Sequence, residues 1–123
     1  MRILCIADIH GHLAPLQQVL AFGKMQGCTL VLAAGDLCFP GAEPLQTWKA
    51  LMTVRAHCVQ GVSDRALAVV DPDDLSAWDA QQEQRIERLR RTQQELGDVI
   101  LERLQRLPTI FRMTLEDGGE LLL

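Results

Sequence analysis

Three short runs, at residues 2–7, 29–34 and 57–60, each end at an abrupt polar or glycine-containing break: ADIHGH, GDLCFPG and GVSD. No other feature of the chain constrains its fold as tightly. A nearly continuous apolar run of this length reads as a strand covered on both faces, as in a parallel sheet. Between the first two runs Leu13, Leu16 and Leu20 recur at helical spacing, with Pro15 in the first turn and Gly23 near the end. Strand, helix, strand is a βαβ unit, which sets parallel strands side by side with their carboxyl ends on one edge. A second helix is expected over Pro44–Thr53, with Leu45, Trp48, Leu51 and Met52 turned inward.

The pattern then changes. Residues 74–96 read as a long helix with Leu75, Trp78, Ile86 and Leu89 at its apolar positions, and Trp48 and Trp78 are expected to pack inside. Gly97 interrupts it, Asp98 is placed to cap a shorter helix ending at Leu107, and Pro108 stops that one. Residues 110–115 alternate apolar with polar, EDGG is a hairpin turn, and residues 120–123 open another strand. With 123 residues, 48% of them hydrophobic, the chain suits one domain over 1–123, with 74–107 as a helical insert.

Composition removes several function classes. No apolar run approaches the roughly 20 residues of a membrane span, and the first residues lack the form of a signal peptide, so a cytoplasmic protein with no membrane partner is expected. Cys5, Cys28, Cys38 and Cys58 include no C-x-x-C pair, which reads as reduced, largely buried thiols. A formal net charge of −4 argues against a nucleic-acid-binding surface. The arginines from Arg85 to Arg91 are interleaved with Glu83, Glu87 and Glu95, the pattern of a solvated helix face.

The chemistry sits at the breaks. Asp8 follows the first strand and Asp36 the second, and neighbouring strands lie about 4.8 Å apart, so the two carboxylates can approach one cation. Asp8 and His10 are two apart and would point the same way from extended backbone. Two acids and an imidazole suit manganese, iron or zinc better than calcium. Gly11 would let the backbone come close to an ion and its substrate. Each Asp alone reads more readily as a helix cap than as a ligand; their repetition at successive strand ends favours a metal site. Cys38 reads as a soft ligand or a small apolar filler, and His57 as structural or exposed.

DIHGH, GDLCFPG and VQGVSDRAL together resemble the first three motifs of the calcineurin-like metallophosphoesterases, most of all their small bacterial and archaeal phosphodiesterase-like branch. The resemblance implies an α/β fold of the α+β sandwich type: two mixed sheets flanked by helices, here in part, with the helical insert and a C-terminal hairpin. It implies that Asp8 and His10 hold one metal, that Asp36 bridges two, and that Asp36 and His10 serve catalysis. The implied reaction is hydrolysis of phosphomonoesters or phosphodiesters by a metal-bound hydroxide, with divalent manganese first and iron, zinc, nickel or magnesium as alternatives. Gly11, His12 and Ser63 occupy positions of substrate contact.

Two departures qualify this expectation. Val62 stands where the family places an asparagine ligand, and Ser63 stands where many relatives carry a histidine acid. Asp64 keeps its place, either beside the site or as a cap for the next helix. The family's later histidine motifs would follow residues 121–123, so a partial sandwich is expected, one that self-associates or takes missing strands from a partner. Two functions therefore compete: a metal-dependent phosphoesterase, and a degenerate non-catalytic module acting in binding or regulation. A receiver-like phosphoacceptor domain also uses strand-end acids, but it explains neither His10-Gly11 nor the insert.

Overall fold

β1 (Ile3–Ile6), β2 (Leu30–Ala33) and β3 (His57–Cys58) form a parallel sheet in the order β1-β2-β3, in a computed structural model that describes residues 1–123. Ile3 pairs with Leu30 and Ile6 with Ala33, while Leu32 and Ala33 pair with His57 and Cys58. α1 (Leu13–Met25) and α2 (Pro44–Thr53) make the two crossovers. Strands that advance in one direction through right-handed crossovers place both helices on the same face of the sheet. α1 lies so close to β1 that Gly23 sits against the Leu4 side chain.

After β3 come α3 (Val62–Val69), a short 3₁₀ turn at Pro72–Asp74, α4 (Ala80–Gln105), and the antiparallel hairpin of β4 (Arg112–Thr114) and β5 (Glu120–Leu122). This is the mixed α/β architecture expected from the sequence. Leu37, Leu51, Leu67 and Leu104 are fully buried in one core to which the loop after β2, α2, α3 and α4 all contribute. Removing such side chains from water is the main stabilising contribution, roughly 1.5–3 kcal/mol each.

Two glutamines fasten α4 to the rest. The Gln93 amide donates to the carbonyls of Leu67 and Val70 at 3.0 and 2.7 Å, satisfying the end of α3. The Gln60 amide donates to Leu104 and Gln105 at 2.9 and 3.2 Å, satisfying the end of α4. Both ends would otherwise leave main-chain carbonyls without partners.

The structure corrects the sequence reading in four places. No residue of β1 is buried and Cys5 is exposed, because β1 is an edge strand and the face bearing Cys5 is left open. The long helix starts at Ala80, not at 74. The Asp79 carboxylate accepts from the Gln82 N–H at 2.8 Å and fixes the start there, a local bond that outcompetes one more helical turn. Trp78 consequently lies outside the helix and is 79% exposed, whereas Trp48 is buried as expected. At the break, Gly97 itself takes the non-helical position (φ 78°, ψ 167°), so Asp98 is already helical and is not the cap. His57, on β3, is exposed and stacks on Phe111 of the hairpin with ring centroids 4.8 Å apart.

Burial pushes the Cys38 thiol up to about 12 and the Cys58 thiol to about 11. Only thiolates attack disulfide reagents, so both are inert at neutral pH. Titration of the folded chain with an aromatic disulfide at pH 7.5 should label Cys5 quickly and Cys28 more slowly. Cys38 and Cys58 should react only after denaturant is added, as read by peptide mass mapping.

Candidate metal centre

Beyond the strand ends, the two loops continue to pair through their main chains. The Asp8 N–H donates to the Gly35 carbonyl, His10 N–H to Asp36 at 2.8 Å and Gly11 N–H to Leu37 at 2.9 Å. Asp8, His10 and Asp36 all lie in the left-handed region, with φ of 54°, 51° and 54°. The Asp8–His10 juxtaposition therefore comes from two left-handed residues, not from the extended backbone that their spacing suggested. Non-glycine residues are disfavoured there by roughly 1–2 kcal/mol each, and such strain concentrates at functional sites. All three side chains converge: one ligand atom from each lies within 4.8 Å of the others.

The His10 ring is oriented from behind. Its Nδ1 lies 2.7 Å from the Phe39 carbonyl oxygen, an acceptor only, so Nδ1 carries the proton and Nε2 keeps a free lone pair. Nε2 is 3.8 Å from Asp8 Oδ1. On Asp36, Oδ1 accepts from the Ser63 N–H at 2.9 Å and the Ser63 hydroxyl at 2.8 Å. The second oxygen of Asp36 makes no hydrogen bond within the protein. Partial burial pushes the Asp36 carboxyl up, but the two Ser63 donors and the nearby His10 outweigh it and hold the group below its ordinary range.

Asp64 has a larger part than the sequence suggested. Gly61, not Asp64, occupies the cap position of α3, and Asp64 is fully buried one turn in. Its carboxylate accepts three main-chain N–H groups: Asp36 and Gly61 at 2.8 Å and Leu37 at 2.9 Å. Burial pushes this carboxyl up, and the three N–H donors oppose the shift. Gly61 is required because any side chain there would collide with Asp36. The start of α3 thus holds Asp36 twice, by its main chain through Asp64 and by its carboxylate through Ser63.

Two expected roles change accordingly, and for Cys38 one of its two readings holds. Gly11 is buried, its N–H and carbonyl are engaged by Leu37 and Glu43, and its missing Cβ faces Cys38 and Gly41. It joins the two loops through its own main chain. Ser63 is turned onto Asp36 rather than outward. Cys38 is fully buried as a filler and is not among the converging donors. His12 is exposed and caps α1 without a side-chain bond, lining an open cleft between the two loops and α4. Val62 is 86% exposed and contributes no donor.

The profile of the calcineurin-like phosphoesterases matches residues 1–119. The chain belongs to that family. Solved structures share its fold, two of them as follows. A hypothetical protein from Pyrococcus horikoshii OT3 superposes with a TM-score of 0.76 at 18% identity, covering 98% of this chain and 52% of that one. A metallophosphoesterase from Sphaerobacter thermophilus gives a TM-score of 0.65 at 23% identity, covering 92% and 43%. The chain spans about half the length of these structures. No curated protein matches its sequence. No helix is long and apolar enough to cross a membrane.

Two substitutions probe the clamp. Asp64→Ala strands three main-chain N–H groups and should cost about 3 kcal/mol or more in urea unfolding; a loss below about 1 kcal/mol would show that the loops hold without it. Ser63→Ala removes one donor and should raise the Asp36 pKa, measured by carboxyl NMR. The native Asp36 pKa lies below its unfolded value, so Asp36 stabilises the fold above the ordinary carboxylate range, and that contribution is lost as pH falls through the lowered value. Ser63→Ala should accordingly lose less stability than the parent chain on acidification below about pH 4.

Proposed function

We propose that this chain forms the cation-gripping part of a phosphoester-hydrolysing site, with Asp8, His10 and Asp36 as the protein ligands of a divalent metal. The observation that carries the reading is the convergence of these three side chains on backbone that is strained at all three positions. The donor set fits such an ion. It combines two carboxylates with an imidazole whose outer nitrogen is already committed to a carbonyl, a mixture suited to manganese, with iron, zinc, nickel and magnesium as alternatives. When bound, a cation of this class lowers the pKa of water and polarises a phosphoryl oxygen.

The chain's own residues supply the positioning. Phe39 fixes the His10 tautomer, Ser63 fixes the rotation of Asp36, and Asp64 fixes the backbone that carries it. Asp8 is exposed and leaves the site open to an incoming phosphate ester. Four free cysteines support a reducing compartment such as the cytoplasm.

One observation favours the second reading, a non-catalytic binding or regulatory module. Val62 occupies the position of the family's asparagine ligand and points to solvent, and no other group of three or more potential ligands converges in the chain. This feature predicts one ion per chain rather than two.

Calorimetric titration with manganese should give a stoichiometry near one, and Asp36→Asn should weaken binding about a hundredfold. Manganese-dependent hydrolysis of bis(p-nitrophenyl) phosphate, lost in Asp36→Asn and raised by Val62→Asn, supports the enzyme. Metal binding without turnover in either the parent chain or Val62→Asn supports the binding module. Absence of metal binding rejects both.

A further inference from the structure

Two surfaces of this chain, both away from the metal centre, are opposite in character. The first is an open groove of about 610 Å³ between α2 and the second half of α4. Trp48, Met52, Val99 and Ile100 supply its apolar lining, and Val99 is 70% exposed. Lys49 and Arg103 are its cations and no carboxylate lines it, although the chain as a whole carries a formal charge of −4. Both cations are exposed and enter no ion pair: the Glu102 carboxylate next to Arg103 is taken by Arg106 at 2.6 Å.

The second surface is the segment that leads into α4. Residues 66–84 hold Asp71, Asp73, Asp74, Asp79 and Glu83, and no lysine or arginine. Among these acids Leu75 is 44% exposed and Trp78 79%. The ends of the segment are fixed. Pro72 is buried, the Asp71 carboxylate accepts from the Asp73 N–H at 2.9 Å, and Asp73 pairs at 3.1 Å with Arg90, which also holds Glu87 at 2.9 Å. At the other end Asp79 caps α4. A large aromatic side chain is thus held out into water by a turn anchored on both sides, an unfavourable exposure unless something covers it.

Each surface supplies what the other lacks. An indole and a leucine set among acids match an apolar groove with two free cations, one of them a guanidinium able to stack on an aromatic face. Within one copy they stay apart, because Trp78 precedes the first residue of α4 while Val99 and Arg103 lie near its other end, roughly 30 Å along the helix. Two copies can bring them together.

We propose that the groove between α2 and α4 receives the Leu75–Trp78 segment of a second copy of this chain, with Trp78 as the anchor and Lys49 and Arg103 facing the acids around it. The contact joins two different surfaces, so every copy offers one of each. It uses neither the open face of β1 nor Asp8, His10 and Asp36.

Sedimentation equilibrium of the full chain, with a chelator present, tests this at physiological ionic strength, where the net repulsion between copies is screened. The weight-average mass of the parent chain should rise with concentration. Trp78→Ala should weaken association at least about tenfold, the loss expected of a central aromatic anchor. Lys49→Glu/Arg103→Glu and, separately, Asp74→Lys/Glu83→Lys should each stay monomeric where the parent associates. An equal mixture of these two should associate again, because the reversed groove then meets reversed acids. Asp73 and Asp79 are left intact because they hold the turn. Ile110→Ala/Leu122→Ala, on the exposed side of the hairpin, should change association less than about twofold. Circular dichroism melts confirm that each variant is folded. Acrylamide quenching gives a second readout: Trp48 is buried, so quenching reports Trp78 and should fall as the concentration rises. A parent chain that stays monomeric up to about 1 mM overturns the proposal. So does association that survives Trp78→Ala and is lost in the hairpin variant, a charge-reversed mixture no better than its components, or a Trp78 that stays equally quenched in the associated state.

Discussion

One buried carboxylate organises the centre of this molecule. Asp64 accepts main-chain N–H groups from the loop after β2 and from the residue that starts α3, and so joins two segments that share no strand pairing at that point. Enclosing a carboxylate is unfavourable unless its lone pairs are satisfied, and here three donors do so. The arrangement is reciprocal: the donors are themselves groups left unpaired where a strand has ended or a helix begins. Ser63, the preceding residue on the same helical turn, reaches the Asp36 side chain. One of the three converging side chains is therefore oriented by a helix that contributes none of them.

The sequence made the parallel sheet and the converging Asp8, His10 and Asp36 legible, because apolar runs and their polar ends are local signals. How those three residues are brought together was not legible. Left-handed φ at Asp8, His10 and Asp36 follows from the pairing of two loops far apart in sequence, and no local pattern announces it. Ser63 is a related case: its position reads as a substrate contact where relatives carry a histidine acid, whereas its hydroxyl works as a donor to Asp36 across 27 positions. Trp78 shows the opposite error. Helical spacing placed it on an apolar face, but the Asp79 cap decided where the helix begins. Gly97 was recognised as a break, and the off-by-one at Asp98 reflects the ambiguity of a glycine that ends one helical segment and starts another.

The insert changes the character of the site. The sheet and its loops provide a small set of donors that could serve many esters, and fold alone does not choose among them. α4 adds charge of both signs on a face held in rotation by Leu89, Thr92 and the Arg90 ion pairs. The two parts are thereby separated: one carries the three converging donors, and another presents charged groups on a helix that contributes none of them.

Gly11 and Gly41 meet backbone to backbone, with no room for a side chain on either. The spacing of the two ligand-bearing loops is consequently written in peptide geometry rather than in residue identity. A centre built in this way can be re-lettered. Exchanging a carboxylate for an imidazole at position 8 or 36 would change the donor set while the distance between the loops stays the same, which makes the pair of glycines the fixed frame of an otherwise editable cluster.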